Sequence, residues 1–542
     1  MHEQIDVVVV GAGPVGLLAA IELALGDVRV LVLERLATPS TAMKALGIGP
    51  LASEALKRRG MAPAIAAAEE RSFETIRQFS EKAGTDPRGR GSKFSGHFAG
   101  LSLIRKDAQK EPERRSQPVD QIAVEAMLGE RARSLGIEIR RECEVTGFAQ
   151  QADGVDVEWT SPSGPGRLRC GWLVGCDGGR SALRKMAGFE FPGTPSSSTF
   201  YSAIAEIDHP ERLSPPGWRR TSGGVFSYGP FPGRLFMLDF SGPPAERDAP
   251  VTREEIEAVL RQVSEVDVRV DALESGSRWT DNTRLVDTYR RGRVLLAGDA
   301  AHIHTPFGGQ GLSLGLADAA NLGWKLAAVV CGEMPDAWLD TYTAERRPVA
   351  EAVLANTLAQ TAIMRPDPQA GAMRDIIARL MDFDDVNGFI GEMMSGLGTR
   401  YDFGTGRDDV GRLIGDRAIR HGGAEISLYE LMQDGKGVLL DATPGATASG
   451  LVAAATGRVR CVAVDGGPSM LIRPDACVAW AAENGSADGL PEALRRWFNG
   501  HWLRMAARAT KHSFGARWSI FSDTTGFTSL TTPLFMRGYR RR

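Results

Sequence analysis

Gly11, Gly13 and Gly16 stand in the spacing Gly-x-Gly-x-x-Gly directly behind Ile5-Asp6-Val7-Val8-Val9-Val10, and they open the helical stretch Leu17 to Leu25. A β-branched apolar run of this kind reads as a buried parallel strand. The order strand, turn, helix is the one that holds a pyrophosphate. Gly11 permits the tight turn, Gly13 lets backbone approach the phosphates, Gly16 lets the helix settle on the strand, and Pro14 occupies the start of the helix, whose N-terminus faces the anion. A second strand, Val28 to Leu33, ends in Glu34, 18 positions after Gly16, where a ribose hydroxyl needs an acceptor. A carboxylate there repels a 2′-phosphate, so the pattern favours FAD or NAD over NADP. Arg35 beside it is a further candidate cofactor contact.

Two later segments repeat the theme. Trp172-Leu173-Val174-Gly175-Cys176 runs into Asp177-Gly178, and Val294-Leu295-Leu296-Ala297 runs into Gly298-Asp299. Both acids fall at the C-terminal ends of strands, where open α/β sheets bind ligands, and Asp299 can accept from a ribityl hydroxyl. Next come Pro306-Phe307-Gly308-Gly309-Gln310-Gly311-Leu312-Ser313 and a helix from Leu312 to Val330. The glycines let bare amides approach a flat ring, and the helix directs its positive end at the N1/C2 carbonyl region of an isoalloxazine, which stabilises the reduced anion. Leu322 and Leu326, four apart on that helix, are expected in the core.

These segments need a scaffold, and 542 residues allow two to four domains. The expected fold class is α/β: a Rossmann-like nucleotide domain, an inserted sheet-rich substrate domain and a separate C-terminal α/β domain. The nucleotide domain is expected over 1–75, 113–190 and 281–400, the last including a helical linker. An excursion rich in Gly, Lys, Arg and Ser covers 76–112. Strand-like runs such as Arg234 to Phe240 between Pro/Gly-rich turns assign 191–280 to substrate binding. Its Phe226, Tyr228 and Phe236, together with Phe307, are the candidate pocket residues. Residues 401–500 show a βαβ-and-hairpin order that suits a thioredoxin-like fold. The six cysteines contain no C-x-x-C pair, so a structural or docking role is expected there. Residues 501–542, with eight Lys/Arg against the single Asp523 and interleaved aromatics, are expected to wrap the protein.

Sixty-four basic against 67 acidic residues give net −3, which argues against a nucleic-acid surface. The cysteines and eight histidines are scattered, so no metal is assigned. The start passes at once into a core strand and no apolar run approaches a membrane span; a cytoplasmic protein without stable membrane insertion, monomer or homodimer, is expected.

The three nucleotide segments, the Pro-Phe-Gly-Gly-Gln-Gly loop and Tyr342-Thr343-Ala344-Glu345-Arg346-Arg347-Pro348 resemble the FAD-dependent aromatic hydroxylases, the group A flavoprotein monooxygenases of p-hydroxybenzoate hydroxylase-like fold. Within them, Gly96-His97-Phe98-Ala99-Gly100-Leu101, Gln121-Ile122-Ala123-Val124-Glu125, Asp384-Asp385-Val386-Asn387 with Arg400-Tyr401-Asp402, and Leu471-Ile472-Arg473-Pro474-Asp475 are similar to the branch of rifampicin monooxygenase and the aromatic polyketide hydroxylases. The resemblance runs from about residue 3 to 500. It implies that Gly11, Gly13, Gly16, Glu34, Gln121 and Asp299 hold FAD, that Pro306 to Ser313, with Pro306, Gly308, Gly309, Gly311, Leu312 and Ser313, face its ring, and that Asp177-Gly178 serve both FAD and NADPH. Lys44 stands where relatives commonly carry Arg, replacing a bidentate fork with a point charge. Ser313 and Phe307 replace a frequent Asn and Thr.

The implied reaction is hydroxylation of a phenolic or polycyclic aromatic: NADPH or NADH reduces FAD, O2 forms a C4a-hydroperoxide, and the substrate ring attacks its distal oxygen. That chemistry asks for a dry pocket and demands no single catalytic residue. A flavin reductase or dehydrogenase that never inserts oxygen, and a flavin-bound regulator or scaffold, are the alternatives.

Overall fold

The computed structural model describes residues 5–40, 45–82, 93–244, 246, 249–421, 423–483 and 485–499. Lys44 and the tail 501–542 lie outside the described residues, so the expectations placed on them stop there.

The nucleotide region is built on a sheet in which Glu138–Arg140, Val30–Leu33, Ile5–Val10, Gly164–Gly175 and Val294–Leu296 lie side by side in parallel, with Arg290–Arg291 antiparallel at the edge. Val8 pairs Leu31 on one side and Leu173 on the other. Val7, Val8 and Val9 are fully buried, which explains an uninterrupted β-branched run: both faces of this strand meet apolar side chains. The helix Pro14–Leu25 covers the sheet and meets the helix Gly311–Val330 at a very small spacing. A Cβ added at Gly323 would sit 2.2 Å from the Glu22 Cβ, so only glycine lets the two helices approach. This brings the third nucleotide segment beside the first. The hairpin Glu144–Gln150 and Val155–Ser161, which extends the sheet through the long strand Gly164–Gly175, carries no motif that singled it out in the sequence.

The middle region is a five-stranded antiparallel sheet in the order Gly217–Arg220, Val225–Tyr228, Arg234–Asp239, Thr199–Ile207, Val270–Thr280. Its two faces bury different partners. One face takes the helix Arg253–Ser264 through Ile256, Leu260 and Val263. The other takes the hairpin Phe94–Phe98 and Leu101–Arg105, the helix Asp340–Met364, and Phe307 of the glycine-rich loop. The helix Ala62–Lys82 runs through the expected break near residue 75, and its Phe79 joins the first of these faces at an edge-on contact with Tyr228.

The C-terminal region orders its strands Val459–Ala463, Gly437–Asp441, Ser469–Ile472, Val478–Ala482. The first two are parallel across the helix Thr447–Ala455 and the remaining pairs are antiparallel. Buried charge ties it to the nucleotide region. Arg59 forks Glu22 at 2.8 and 2.7 Å while donating to the carbonyls of Met432 and Pro474. Arg473 forks Glu345 at 2.9 and 2.8 Å and also pairs with Asp475, and Lys325 Nζ lies 2.9 Å from Glu345. Burial lowers the Lys325 ammonium to about 8, against the pull of Glu345.

Candidate flavin and substrate site

The turn after Ile5–Val10 is fixed by backbone crowding. Gly11 has φ +106°, and a Cβ there would come within 2.4 Å of the Cys176 carbonyl oxygen. A Cβ on Gly16 would lie 1.9 Å from the Gly11 carbonyl oxygen. At Gly13 the situation reverses: an added Cβ would meet nothing within 4 Å. Gly13 is the N-cap of the helix, Pro14 is its first residue, and no side chain caps the first turn. Open space thus faces a set of uncapped N–H groups with the positive end of a helix behind them, and a pyrophosphate fits both.

Glu34 lies at the end of the second strand, nearly buried, with its carboxylate already oriented. Its Oε2 accepts from the Ala12 N–H at 2.7 Å and its Oε1 from the Leu36 N–H at 2.8 Å. The group retains lone pairs for a ribose hydroxyl at a position set by backbone. Arg35 is exposed beside it. Gln121 is the first residue of the helix Gln121–Ser134, which Asp120 caps, and its own N–H donates to the Ala45 carbonyl.

Asp177 and Gly178 follow the strand Gly164–Gly175 as expected. Asp177 Oδ2 accepts from the Leu183 N–H at 3.1 Å, whereas Oδ1 is buried without a partner among the described residues. A buried carboxylate oxygen left unpaired is costly, so this atom asks for a donor beyond those the described residues supply. Asp299 is exposed in the turn after Val294–Leu296. That turn is held from below: Asp318 Oδ2 accepts from the Gly298 N–H at 3.2 Å and meets His302 Nε2 at 2.7 Å, while Oδ1 accepts from Arg346 Nε at 2.7 Å. Burial pushes the Asp318 carboxyl upward, but Arg346 and His302 outweigh it and hold the pKa below the ordinary carboxylate value.

The loop Pro306–Gln310 is anchored through an unbroken line of amides. The Ala99 N–H donates to Gln360 Oε1 at 2.9 Å, Gln360 Nε2 to Asn356 Oδ1 at 3.2 Å, Asn356 Nδ2 to Gln310 Oε1 at 2.8 Å, and Gln310 Nε2 to the Met393 carbonyl at 2.8 Å. All three side chains are buried, so each bond satisfies a group that water cannot reach. Gly308 and Gly309 take positive φ, and Gly309 faces open space. Gly311 and Leu312 begin the helix Gly311–Val330. Ser313 Oγ accepts from the Gly49 N–H at 3.1 Å, so its hydroxyl already anchors another stretch of chain.

Phe307 is buried in an aromatic wall. It lies edge-on to Phe200 at 5.6 Å and tilted to Trp218 at 5.8 Å. Phe236 meets Trp218 at 5.0 Å and Trp279 at 6.0 Å, and Phe200 stacks on Trp279 at 6.0 Å. Two of the pocket expectations are corrected here. Phe226 and Tyr228 are on the opposite face of the same sheet, packed with Phe79, Leu235, Met237 and the helix Arg253–Ser264. Strand alternation is the reason: Phe226 pairs with Met237 and Tyr228 with Leu235, one face, whereas Phe236 and Leu238 project to the other. The rings that pack with Phe236 and Phe307 are those of Phe200, Trp218 and Trp279.

Other residues with structural weight at the site escaped the sequence. His302 follows the Gly298-Asp299 turn, Asp318 lies in the helix after the glycine-rich loop and Arg346 in the Tyr342–Pro348 stretch, but nothing in their spacing reveals a buried charge network. Arg184, which donates to the carbonyls of Ala300 and Gly179, links the second nucleotide segment to the third.

Residues 4–357 match the model of the FAD binding domain, and residues 407–500 match that of the aromatic-ring hydroxylase C-terminal region. The chain is 38% identical over 522 residues to the 12-dehydrotetracycline 5-monooxygenase/anhydrotetracycline 6-monooxygenase of Streptomyces rimosus, covering 91% of this chain and 98% of that protein. It is 38% identical over 483 residues to the rifampicin monooxygenase of Streptomyces venezuelae, covering 88% and 96% respectively. The solved structure of an anhydrotetracycline hydroxylase from Streptomyces rimosus superposes with a TM-score of 0.78 at 36% identity, covering 91% of this chain and 99% of the other. A glycine turn that a pyrophosphate fits, an aromatic wall joined to the loop Pro306–Gln310, and similarity along nine-tenths of the chain lead to one conclusion: this protein belongs to the FAD-dependent aromatic-ring hydroxylases and is a flavoprotein monooxygenase.

Proposed function

We propose that the protein uses NADPH or NADH and O2 to hydroxylate a phenolic or polycyclic aromatic compound of the polyketide or antibiotic kind. The observation that carries this reading is the continuity of the aromatic wall with the loop Pro306–Ser313: Phe307 belongs to both. A flat apolar substrate held against Phe200, Trp218, Phe236 and Trp279 lies next to the loop that faces the flavin ring, in a region from which aromatic side chains exclude water.

Bound FAD supplies the redox chemistry and the activation of O2. The chain's own work is binding and orientation. Gly11, Gly13, Pro14 and Gly16 present the first-turn N–H groups to the pyrophosphate. Glu34, with Arg35 next to it, takes the ribose end, Gln121 holds FAD from the start of its helix, Asp299 takes the ribityl chain, and Asp177 with Gly178 serves FAD, the nicotinamide donor or both. Pro306, Gly308, Gly309, Gly311 and Leu312 bring backbone to the ring. The positive end of the helix Gly311–Val330 favours negative charge there. The relatives' names support the substrate class, since they act on tetracyclines and rifampicin. The C-terminal unit, expected to be thioredoxin-like, has its cysteines Cys461 and Cys477 far apart in sequence and both free, which favours a docking role over thiol exchange.

The test is NADPH and NADH oxidation by the FAD-loaded enzyme across phenols, naphthoquinones, anthracyclines, tetracyclines and rifamycins, read beside product mass. Stimulated oxidation with a product heavier by one oxygen atom is expected. Stimulated oxidation without any oxygenated product would favour the reductase alternative instead.

A further inference from the structure

His97 sits at the edge of the aromatic wall and belongs to no part of the cofactor cradle. Its ring packs on Trp218 at 5.6 Å between centroids, and Trp218 in turn touches Phe236 and Phe307. The turn that carries it is held unusually firmly. Ala99 adopts φ +47°, a conformation that a side-chain-bearing residue rarely takes, and it is kept there by Gln360 accepting from its N–H and by Arg374 donating to its carbonyl at 2.6 Å. The next N–H, that of Gly100, donates to His97 Nδ1 at 3.3 Å.

That last bond decides the tautomer. A nitrogen that accepts carries no proton, so the ring proton belongs on Nε2. Nε2 has no hydrogen-bond partner among the described residues. Burial lowers the pKa of His97 to about 4, so the imidazole is neutral through the physiological range and stays a donor at one nitrogen and an acceptor at the other. A fixed ring, a fixed tautomer and an uncommitted N–H at the edge of a wall otherwise made of aromatic rings are what orienting an oxygen on a flat ligand requires.

We infer that His97 is a specificity-determining residue that donates from Nε2 to a phenolic oxygen or ring carbonyl of the aromatic substrate and thereby sets which edge of the ring meets the flavin. The inference rests on the aromatic wall being the substrate site. The strain at Ala99 and the amide chain from Gln360 to Gln310 then have a shared purpose: they hold this donor in register with the loop that faces the flavin.

The experiment compares wild type, H97Q and H97F, each loaded with FAD, using anhydrotetracycline and 1-naphthol as probes. His97→Phe keeps a flat ring on Trp218 and removes the donor; His97→Gln restores an N–H. With FAD content and thermal midpoint unchanged, H97F is expected to bind the better probe about tenfold more weakly, the loss of one buried hydrogen bond. It should also divert NADPH consumption from oxygenated product to hydrogen peroxide and scatter the site of hydroxylation, with kcat for NADPH oxidation less affected than KM. H97Q is expected to recover most of the affinity and regiochemistry. If wild type turns the probe over and H97F matches it in affinity, coupling and product pattern, His97 is not the donor. If wild type neither binds nor oxygenates either probe or any compound of the panel, the substrate reading of the wall fails and this inference with it.

Discussion

The cofactor cradle and the aromatic wall adjoin one another, yet they are specified in opposite ways. The proposed cradle is made of backbone: Cβ atoms at Gly11 and Gly16 would collide with carbonyl oxygens at 2.4 Å and 1.9 Å, Gly13 faces open space, and the groups offered to a cofactor are the N–H donors of a helix end. The wall is made of side chains contributed by four separate strands and one loop, with rings 5.0 to 6.0 Å apart. A backbone device tolerates one residue type at each critical position. A side-chain device can be rebuilt ring by ring, which suits a family whose members share a cofactor and differ in substrate.

The comparison can be broken most severely at Gly16. Gly16→Val places atoms inside the Gly11 carbonyl, so loss of bound flavin together with a collapse of expression as folded protein is the expected result; FAD absorbance per chain measures it. Retained FAD would mean that the turn is softer than its contacts imply.

A comparable loss of stability, without a direct effect on the cradle, is expected from Glu345→Ala. This leaves Arg473 with Asp475 alone and Lys325 buried without its ion-pair partner, and should cost about 3–5 kcal/mol in denaturant unfolding. The C-terminal region should loosen first, as protection from hydrogen exchange around Arg473 would reveal.

The two faces of the middle sheet give the sharper contrast. Phe226→Ala empties the face under the helix Arg253–Ser264 and should cost about 3–5 kcal/mol while leaving KM for the aromatic substrate near its original value. Phe236→Ala opens the wall and should do the reverse, raising KM about tenfold at a smaller cost in stability because the side chain is only partly buried. Equal KM values for the two variants would place the substrate elsewhere.

The smallest effect concerns pH. Asp318 has a lowered pKa in the folded state, so its stabilising contribution is present above the ordinary carboxylate value and disappears as pH falls through the lowered one. Asp318→Asn should therefore be less stable than wild type at neutral pH, and the gap in thermal midpoint should narrow on acidification below about pH 4. Parallel curves would show that Asp318 does not titrate as its partners Arg346 and His302 demand.

The same contrast explains what the sequence disclosed. The strand, turn and helix around Gly11 to Gly16 are contiguous, and local sterics alone specify them, so motif and structure coincide there. Glu34, Asp177 and Asp299 were readable because each ends a strand of the same parallel sheet. The wall was readable only in part, Phe236 and Phe307 being named together with Phe226 and Tyr228, because alternation along a strand does not say which of two interiors each ring meets. That depends on the register with neighbouring strands, where Phe226 lies beside Met237 and Phe236 beside Ser227. Trp218 and Trp279 escaped for a similar reason: they meet Phe236 only after the chain has folded back across residues far apart in sequence. Asp318 with Arg346 is a long-range pair between two helices, invisible to any local pattern.

The line of amides from Ala99 through Gln360, Asn356 and Gln310 to Met393 bears on how the enzyme keeps time between its two halves. None of its members ionises, so neither acidity nor salt can slacken it. Displacing the loop Pro306–Gln310 therefore strains the turn at Ala99 through uncharged bonds alone, and the two segments are tied as one mechanical piece.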